Sequence, residues 1–185
     1  MRIIAGKFGG RVLKVPEFSP TRPTTNIAKE ALFNMLENYY NFDNIAFLDL
    51  FGGTGQLSFE MASRGCQDIT LVEQFPKCVK FIEKTIIQLG IEGMRVMPMD
   101  IFKYLPMANR TFDLIFAGPP YPLPNLADIP DLIFENSLIE GEGWFILEHN
   151  PQHNFKNHPH YIKQKKYGQT IFSIFTNEGK KEIDD

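Results

Sequence analysis

The sequence predicts an α/β fold with a mainly parallel sheet, and three observations carry that prediction. Short apolar runs (Ile45 to Leu50, Ile69 to Val72, Phe112 to Ala117) alternate with helical periodicities, the signature of strands joined by crossover helices. The first run feeds an acidic residue straight into a glycine-rich turn, Asp49-Leu50-Phe51-Gly52-Gly53-Thr54-Gly55. The second is closed by an acidic residue, Glu73. In a doubly wound sheet a carboxylate at that point accepts hydrogen bonds from the ribose of an adenosine-containing ligand.

The elements follow in order. Residues Arg2 to Val15 alternate loosely around Gly9-Gly10 and read as a short β-hairpin. Pro16 to Pro23 is a proline-punctuated connection, after which Thr24 or Thr25 can cap a helix with Ile27, Ala31, Leu32, Met35 and Leu36 on one face. Strand Ile45 to Leu50, the glycine turn, a helix from Gln56 to Arg64 and strand Ile69 to Glu73 make a βαβ unit. The next helix begins at Pro76 and stops at Gly90. Pro98 cannot donate to a ladder, so Arg95 to Met99 reads as an edge strand, ended by Asp100. Strand Phe112 to Ala117 opens into the rigid loop Gly118-Pro119-Pro120-Tyr121. A short helix over 131–136, a strand Trp144 to Leu147 and a hairpin pairing Tyr161 to Lys165 with Ile171 to Phe175 across Tyr167-Gly168 complete a seven-stranded sheet with helices on both faces. The expected organisation is a basic hairpin and linker over 1–23, a core domain over 24–178 and a flexible tail over 179–185.

Composition narrows the function. The 185 residues are 43% hydrophobic, enough for one domain with a real core. No apolar run approaches the roughly 20 residues of a membrane span, and the N-terminus lacks a signal peptide's apolar segment, so a cytoplasmic location is expected. Cys66 and Cys78 have no metal-ligand spacing and read as reduced thiols. No metal is expected. The four histidines, His149, His153, His158 and His160, crowd one stretch, but Pro151 and Pro159 break any helix that would align them, so a solvated loop is the reading. Lys163, Lys165 and Lys166 either touch phosphate or keep an edge strand soluble. Net charge is −3, yet residues 1–29 carry +5, leaving −8 on the rest. Arg2, Lys7, Arg11, Lys14 and Arg22 therefore form a candidate RNA-binding arm, with a plain solvated surface as the alternative.

Glycine turns between strand and helix also serve packing alone. The dinucleotide fingerprint fits less well, because it wants Gly or Ala three residues after its second glycine, and counting from Gly53 and Gly55 that place is held by Ser58. Asp49, Glu73, Asp100 and the Pro119-Pro120-Tyr121 loop all fall at C-terminal ends of successive strands, where open α/β sheets bind ligands.

This pattern resembles the class I S-adenosylmethionine-dependent methyltransferases of Rossmann-like fold. The resemblance implies that Asp49 helps hold the methionine end of S-adenosylmethionine, Glu73 the ribose, and Asp100 with the Ile101 backbone the adenine. It implies that Thr24, Phe51, Gly52, Gly53 and Gly55 complete the cofactor site. The match is closer still: Arg22-Pro23-Thr24-Thr25, then Glu30-Ala31-Leu32-Phe33-Asn34-Met35-Leu36, then the glycine turn, the proline loop and Tyr167-Gly168 look like the RsmD family, which methylates a guanine amine in 16S ribosomal RNA. Gly118, Pro119, Pro120 and Tyr121 would then form the catalytic loop, with Tyr121 stacking on a flipped base. The family typically carries Asp or Asn where this chain has Gly118. In the usual arrangement that side chain accepts a hydrogen bond from the substrate amine, and Glu148, at the end of the following strand, is a candidate replacement. Two other readings stay open: a non-catalytic S-adenosylmethionine- or RNA-binding protein, and a methyltransferase acting on adenine amines in DNA. The partner expected is ribosomal RNA or the small subunit, met by a monomer.

Overall fold

The computed structural model describes residues 1–15 and 25–179. Arg22, Thr24, the Pro16 to Pro23 connection and all of the expected tail but Gly179 lie outside them. The sheet has seven strands, β1 (Ala46–Leu50), β2 (Asp68–Val72), β3 (Met94–Met97), β4 (Phe112–Ala117), β5 (Ile139–His149), β6 (Tyr161–Tyr167) and β7 (Thr170–Phe175), in the order β3-β2-β1-β4-β5-β7-β6. The sheet is mixed. Four pairings, from β3 through β5, are parallel, whereas β7 runs antiparallel to both β5 and β6.

Side-chain alternation splits the core into two layers. Phe47, Ile69, Leu71, Leu114 and Phe116 face one way, packing against α1 (Asn26–Leu36), α2 (Gln56–Ser63), α3 (Pro76–Leu89) and the N-terminal segment. Leu48, Leu50, Val72, Ile115 and Ala117 face the other way, toward α4 (Ile101–Tyr104) and α5 (Ile129–Glu135). Central strands buried on both faces are therefore mostly apolar, with Asp49 and Thr70 as buried polar members.

Local chemistry sets the element ends. Thr25 caps α1, its Oγ1 accepting from the Ala28 amide at 3.2 Å. Pro76 occupies the first position of α3, and Gly90 ends that helix at a left-handed φ of 64°. β3 is an edge strand and stops at Met97, short of Pro98. At the opposite edge, β6 exposes Lys165 and Lys166, whereas Lys163 lays its ammonium 4.6 Å from the ring centres of both Tyr39 and Trp144.

Three expectations need amendment. The N-terminal hairpin reduces to one antiparallel bridge, Arg2 with Val12, because a tight turn over 6–10 consumes the residues that would have extended the ladder. β5 is longer than Trp144 to Leu147. A register irregularity against β4 lets Ile139 pair with Phe112 before Trp144 pairs with Leu114, so the turn-like Glu140-Gly141-Glu142-Gly143 is strand. His149 does not sit in a solvated loop. It ends β5 fully buried, Nε2 within 2.8 Å of Ser173 Oγ and Nδ1 within 2.8 Å of the Asn150 carbonyl, and burial lowers its pKa.

Glu60 of α2 fixes the N-terminal segment in place. Its buried carboxylate accepts from the Ile4 and Ala5 amides at 2.7 and 3.0 Å and from Arg64 Nε at 2.8 Å, and it lies 3.7 Å from the Lys29 ammonium. Lys29, also buried, donates to the Arg2 carbonyl at 2.8 Å. Burial pulls the Lys29 pKa below the ordinary lysine range against the opposing pull of Glu60. Ser63 on the same helix accepts from the Phe8 amide at 2.9 Å. A Glu60→Ala change strands the buried Lys29 without its carboxylate, leaves Arg64 with Glu37 alone, and should cost about 3 to 5 kcal/mol. Removing the exposed Glu37, which also pairs with Arg64, should cost about 1 kcal/mol or less. Urea unfolding of the two variants measures the contrast.

Candidate functional site

The four parallel strands β3, β2, β1 and β4 end on one rim, and the carboxylates and the proline loop singled out from the sequence meet there. Backbone hydrogen bonds tie adjacent ends together: Gly52 N–H to the Val72 carbonyl at 3.0 Å, Glu73 N–H to Met97 at 3.1 Å, and Gly118 N–H to Leu50 at 3.3 Å.

Asp49 is buried near the end of β1, and its Oδ2 accepts from the Ser58 hydroxyl at 2.5 Å. Burial pushes its carboxyl up to about 7, against the hydrogen bonds from Ser58, which favour the charged form. Ser58, the residue that spoils the dinucleotide fingerprint, thus serves as the polar partner of Asp49. The chain then leaves the strand through Phe51 at φ 61°, a left-handed conformation that is uncommon for a bulky residue and typical of sites where strain is stored.

The glycines divide by role. A Cβ on Gly52 would lie 2.4 Å from Leu71 Cγ, and one on Gly55 would lie 2.8 Å from the Phe59 ring, so both positions are closed by packing. Packing thus accounts for part of the motif. Gly53, at φ 55°, points its amide at Glu73, whose Oε2 accepts at 2.7 Å while Oε1 accepts from the Phe75 amide at 2.8 Å. Burial raises the Glu73 pKa, and the three backbone amides at Phe75, Gly53 and Gln74 oppose it. One carboxylate therefore clamps the glycine turn to the end of β2 and, with three amides on its two oxygens, retains lone-pair capacity for a further donor.

Asp100 caps α4, accepting from the Phe102 amide at 2.9 Å, and Ile101 is buried beside it. That helix of four residues was not foreseen, being too short to show a period.

The fourth strand end carries the proline loop. Pro119 is buried, Pro120 exposed and Tyr121 half-buried, and the Tyr121 hydroxyl donates to Glu148 Oε1 at 3.2 Å. Glu148 is itself buried near the end of β5. A Cβ placed on Gly118 would meet the Phe116 ring at 3.0 Å and come within 4.0 Å of Glu148 Oε2. The carboxylate from β5 therefore reaches the space that a side chain at position 118 would enter.

Arg2, Lys7, Arg11 and Lys14 are exposed along the N-terminal segment, with Lys7 and Arg11 flanking the Phe8 ring at 5.4 and 5.5 Å. Glu60, Ser58 and Lys29 escaped the sequence reading, since a charged or hydroxyl residue on an amphipathic helix reads as solvent-facing. Among the described residues no cluster of His, Cys, Asp and Glu could hold a metal ion, and no helix is long and apolar enough to cross a membrane. Cys66 and Cys78 are buried and unpaired.

Known proteins share this architecture over nearly the whole length. The putative rRNA methyltransferase YlbH of Bacillus subtilis is 31% identical over 97% of this chain and 100% of its own. Ribosomal RNA small subunit methyltransferase D of Escherichia coli K12 is 27% identical over 100% of this chain and 93% of its own. The solved structure of the putative methyltransferase yhhF from Escherichia coli superposes with a TM-score of 0.84 at 26% identity, covering 97% of this chain and 99% of that one. The family model described as Conserved hypothetical protein 95 matches residues 1–176. With a Rossmann-like sheet, a glycine turn clamped by Glu73 and relatives matched end to end, this chain belongs to the Conserved hypothetical protein 95 family, that of RsmD.

Proposed function

We propose that this protein is a cytoplasmic enzyme that transfers a methyl group from S-adenosylmethionine to the exocyclic amine of a guanine in 16S ribosomal RNA. The observation that carries this reading is the shared rim, where the Asp49 and Glu73 carboxylates lie one and two strands away from the Pro119-Pro120-Tyr121 loop. The names of the full-length relatives supply the substrate class.

The residues present fit the cofactor. A buried carboxylate at Asp49 suits the ammonium of a methionine moiety. The free lone pairs of Glu73 suit ribose hydroxyls, and Asp100 with Ile101 borders the place for adenine. When bound, the cofactor supplies an electrophilic methyl carbon on a sulfonium. Tyr121 stacks on the flipped base, held by its hydrogen bond to Glu148. The backbone carbonyls of Gly118 and Pro119 and the Glu148 carboxylate accept hydrogen bonds from the guanine amine, aiming its lone pair along the line of attack. As the new C–N bond forms and the C–S bond breaks, Glu148 is placed to take the proton the amine releases.

Three expected outcomes follow. With radiolabelled cofactor and unmodified small subunits, label should appear in RNA and map to a guanine amine. Cofactor binding without any RNA label would instead favour the non-catalytic reading that Gly118 invites. A Glu148→Ala change should lower kcat about 10- to 150-fold, the worth of a hydrogen bond to a charged group, and leave cofactor affinity unchanged. Adding Gly118→Asn to that variant should restore part of the loss, because the neutral graft enters the space Glu148 vacates with only a small shift of Phe116.

Asp49 predicts two opposite pH trends. Its folded-state pKa is raised from the ordinary 3.8 to about 7, so its contribution to stability is fully present below the lower value and is lost as pH rises through the upper one. Unliganded protein should therefore lose stability between pH 4 and 7, and Asp49→Asn should flatten that slope in urea melts. Cofactor affinity should rise about tenfold per pH unit below 7 as Asp49 ionises, then level off. Calorimetric titration across that range checks the second trend.

A further inference from the structure

Along the outer face of α3 runs a groove of about 600 Å³, closed on its other side by Val12, Leu13 and Lys14 of the N-terminal segment. Lys77, Lys80 and Lys84 line it from the helix, with Phe81 and Thr85 between them, and none of its lining residues is acidic. In a chain of net charge −3 this gathers four cations around one trough. Among the described residues, no ion pair involves Lys14, Lys80 or Lys84, so their charge is available to a partner. The three helix lysines recur at the 3.6-residue period and span about 10 Å of axis. Over that length one strand of a nucleic-acid duplex carries about three phosphates. A row this long suits a polyanion better than a single ion.

The groove is continuous with both ends of the site already described. Val12 and Lys14 belong to the segment that exposes Arg2, Lys7 and Arg11. Lys77 follows Pro76 at the start of α3, just beyond Phe75, whose amide is bonded to Glu73. An RNA strand in the trough would therefore be led toward the rim along the start of α3. The apolar sides of Val12 and Phe81 give a ribose or base something to lie against.

We infer that this groove is an RNA-docking track, in which Lys14, Lys77, Lys80 and Lys84 hold the phosphodiester backbone of ribosomal RNA next to the methylation site. The inference rests on the function proposed above and extends its RNA contacts from the N-terminal segment onto α3. Recognition here is of backbone charge, independent of base sequence.

The test is a Lys80→Gln, Lys84→Gln double variant, both residues being exposed and remote from the cofactor-holding carboxylates. Binding to protein-free 16S ribosomal RNA and to purified small subunits is measured from about 50 to 200 mM salt, beside binding of S-adenosylmethionine. On both RNA partners the slope of log affinity against log salt should fall by about 1.4 to 1.8. Affinity at fixed salt should drop about 2- to 30-fold, while cofactor affinity stays as in the unaltered protein. An unchanged slope on both partners overturns the track. A loss confined to intact subunits also overturns it, assigning the groove to an acidic ribosomal protein. If the unaltered protein binds neither RNA nor subunits, the proposed function falls and the track falls with it.

Discussion

The placement of the N-terminal basic segment depends on one buried carboxylate, that of Glu60. A short basic segment with a single bridge has no means of holding its own shape. It is ordered because two of its amides end on Glu60, because Lys29, paired with Glu60, reaches back to the Arg2 carbonyl, and because Ser63 holds the Phe8 amide while Ile3, Phe8 and Leu13 are buried. The same helix begins at Gly55, the last residue of the glycine turn. The N-terminal cations and the glycine turn are thus both referenced to one eight-residue helix. Their separation is fixed by helix geometry.

A second constraint operates at the strand ends, where backbone polar groups would be orphaned if the turns were merely loose. Glu73 answers three amides, Asp49 is answered by Ser58, and Asp100 caps the next helix. These carboxylates are architectural before any ligand arrives. Such a rim is preorganised: its acceptors are already desolvated and aimed, so binding need not order them again.

Much of this was legible in the sequence, for reasons that differ by element. β4 spans Phe112–Ala117 as its apolar run predicts, and β1 differs from expectation only at its first residue, because buried parallel strands leave a dense apolar signature that a single aspartate in each does not hide. α3 was bounded by Pro76 and Gly90, each acting through its own backbone chemistry. The first half of β5 was hidden because its pairing with β4 is irregular and its residues, Glu140 to Gly143, are those of a turn. The fate of His149 was hidden because a buried histidine is recognisable only by its partner, Ser173, which lies on another strand. Glu60 was hidden for the same reason: its partners come from the N-terminal segment and α1, and no local pattern announces a long-range ion pair.

The position of Glu148 has a consequence for how the pocket would tolerate motion. In a loop after β4, an acceptor moves with that loop and shares its breathing. Glu148 instead belongs to a strand flanked by β4 on one side and β7 on the other, in register with Phe172. The ladder to β4 reaches the preceding residue, Leu147, and the ladder to β7 holds Glu148 itself, so displacing its backbone belongs to the slower end of the protein's fluctuations. The loop after β4 and the Glu148 carboxylate are thus carried by different elements, so in the function proposed above nucleotide entry and alignment of the amine become separate degrees of freedom.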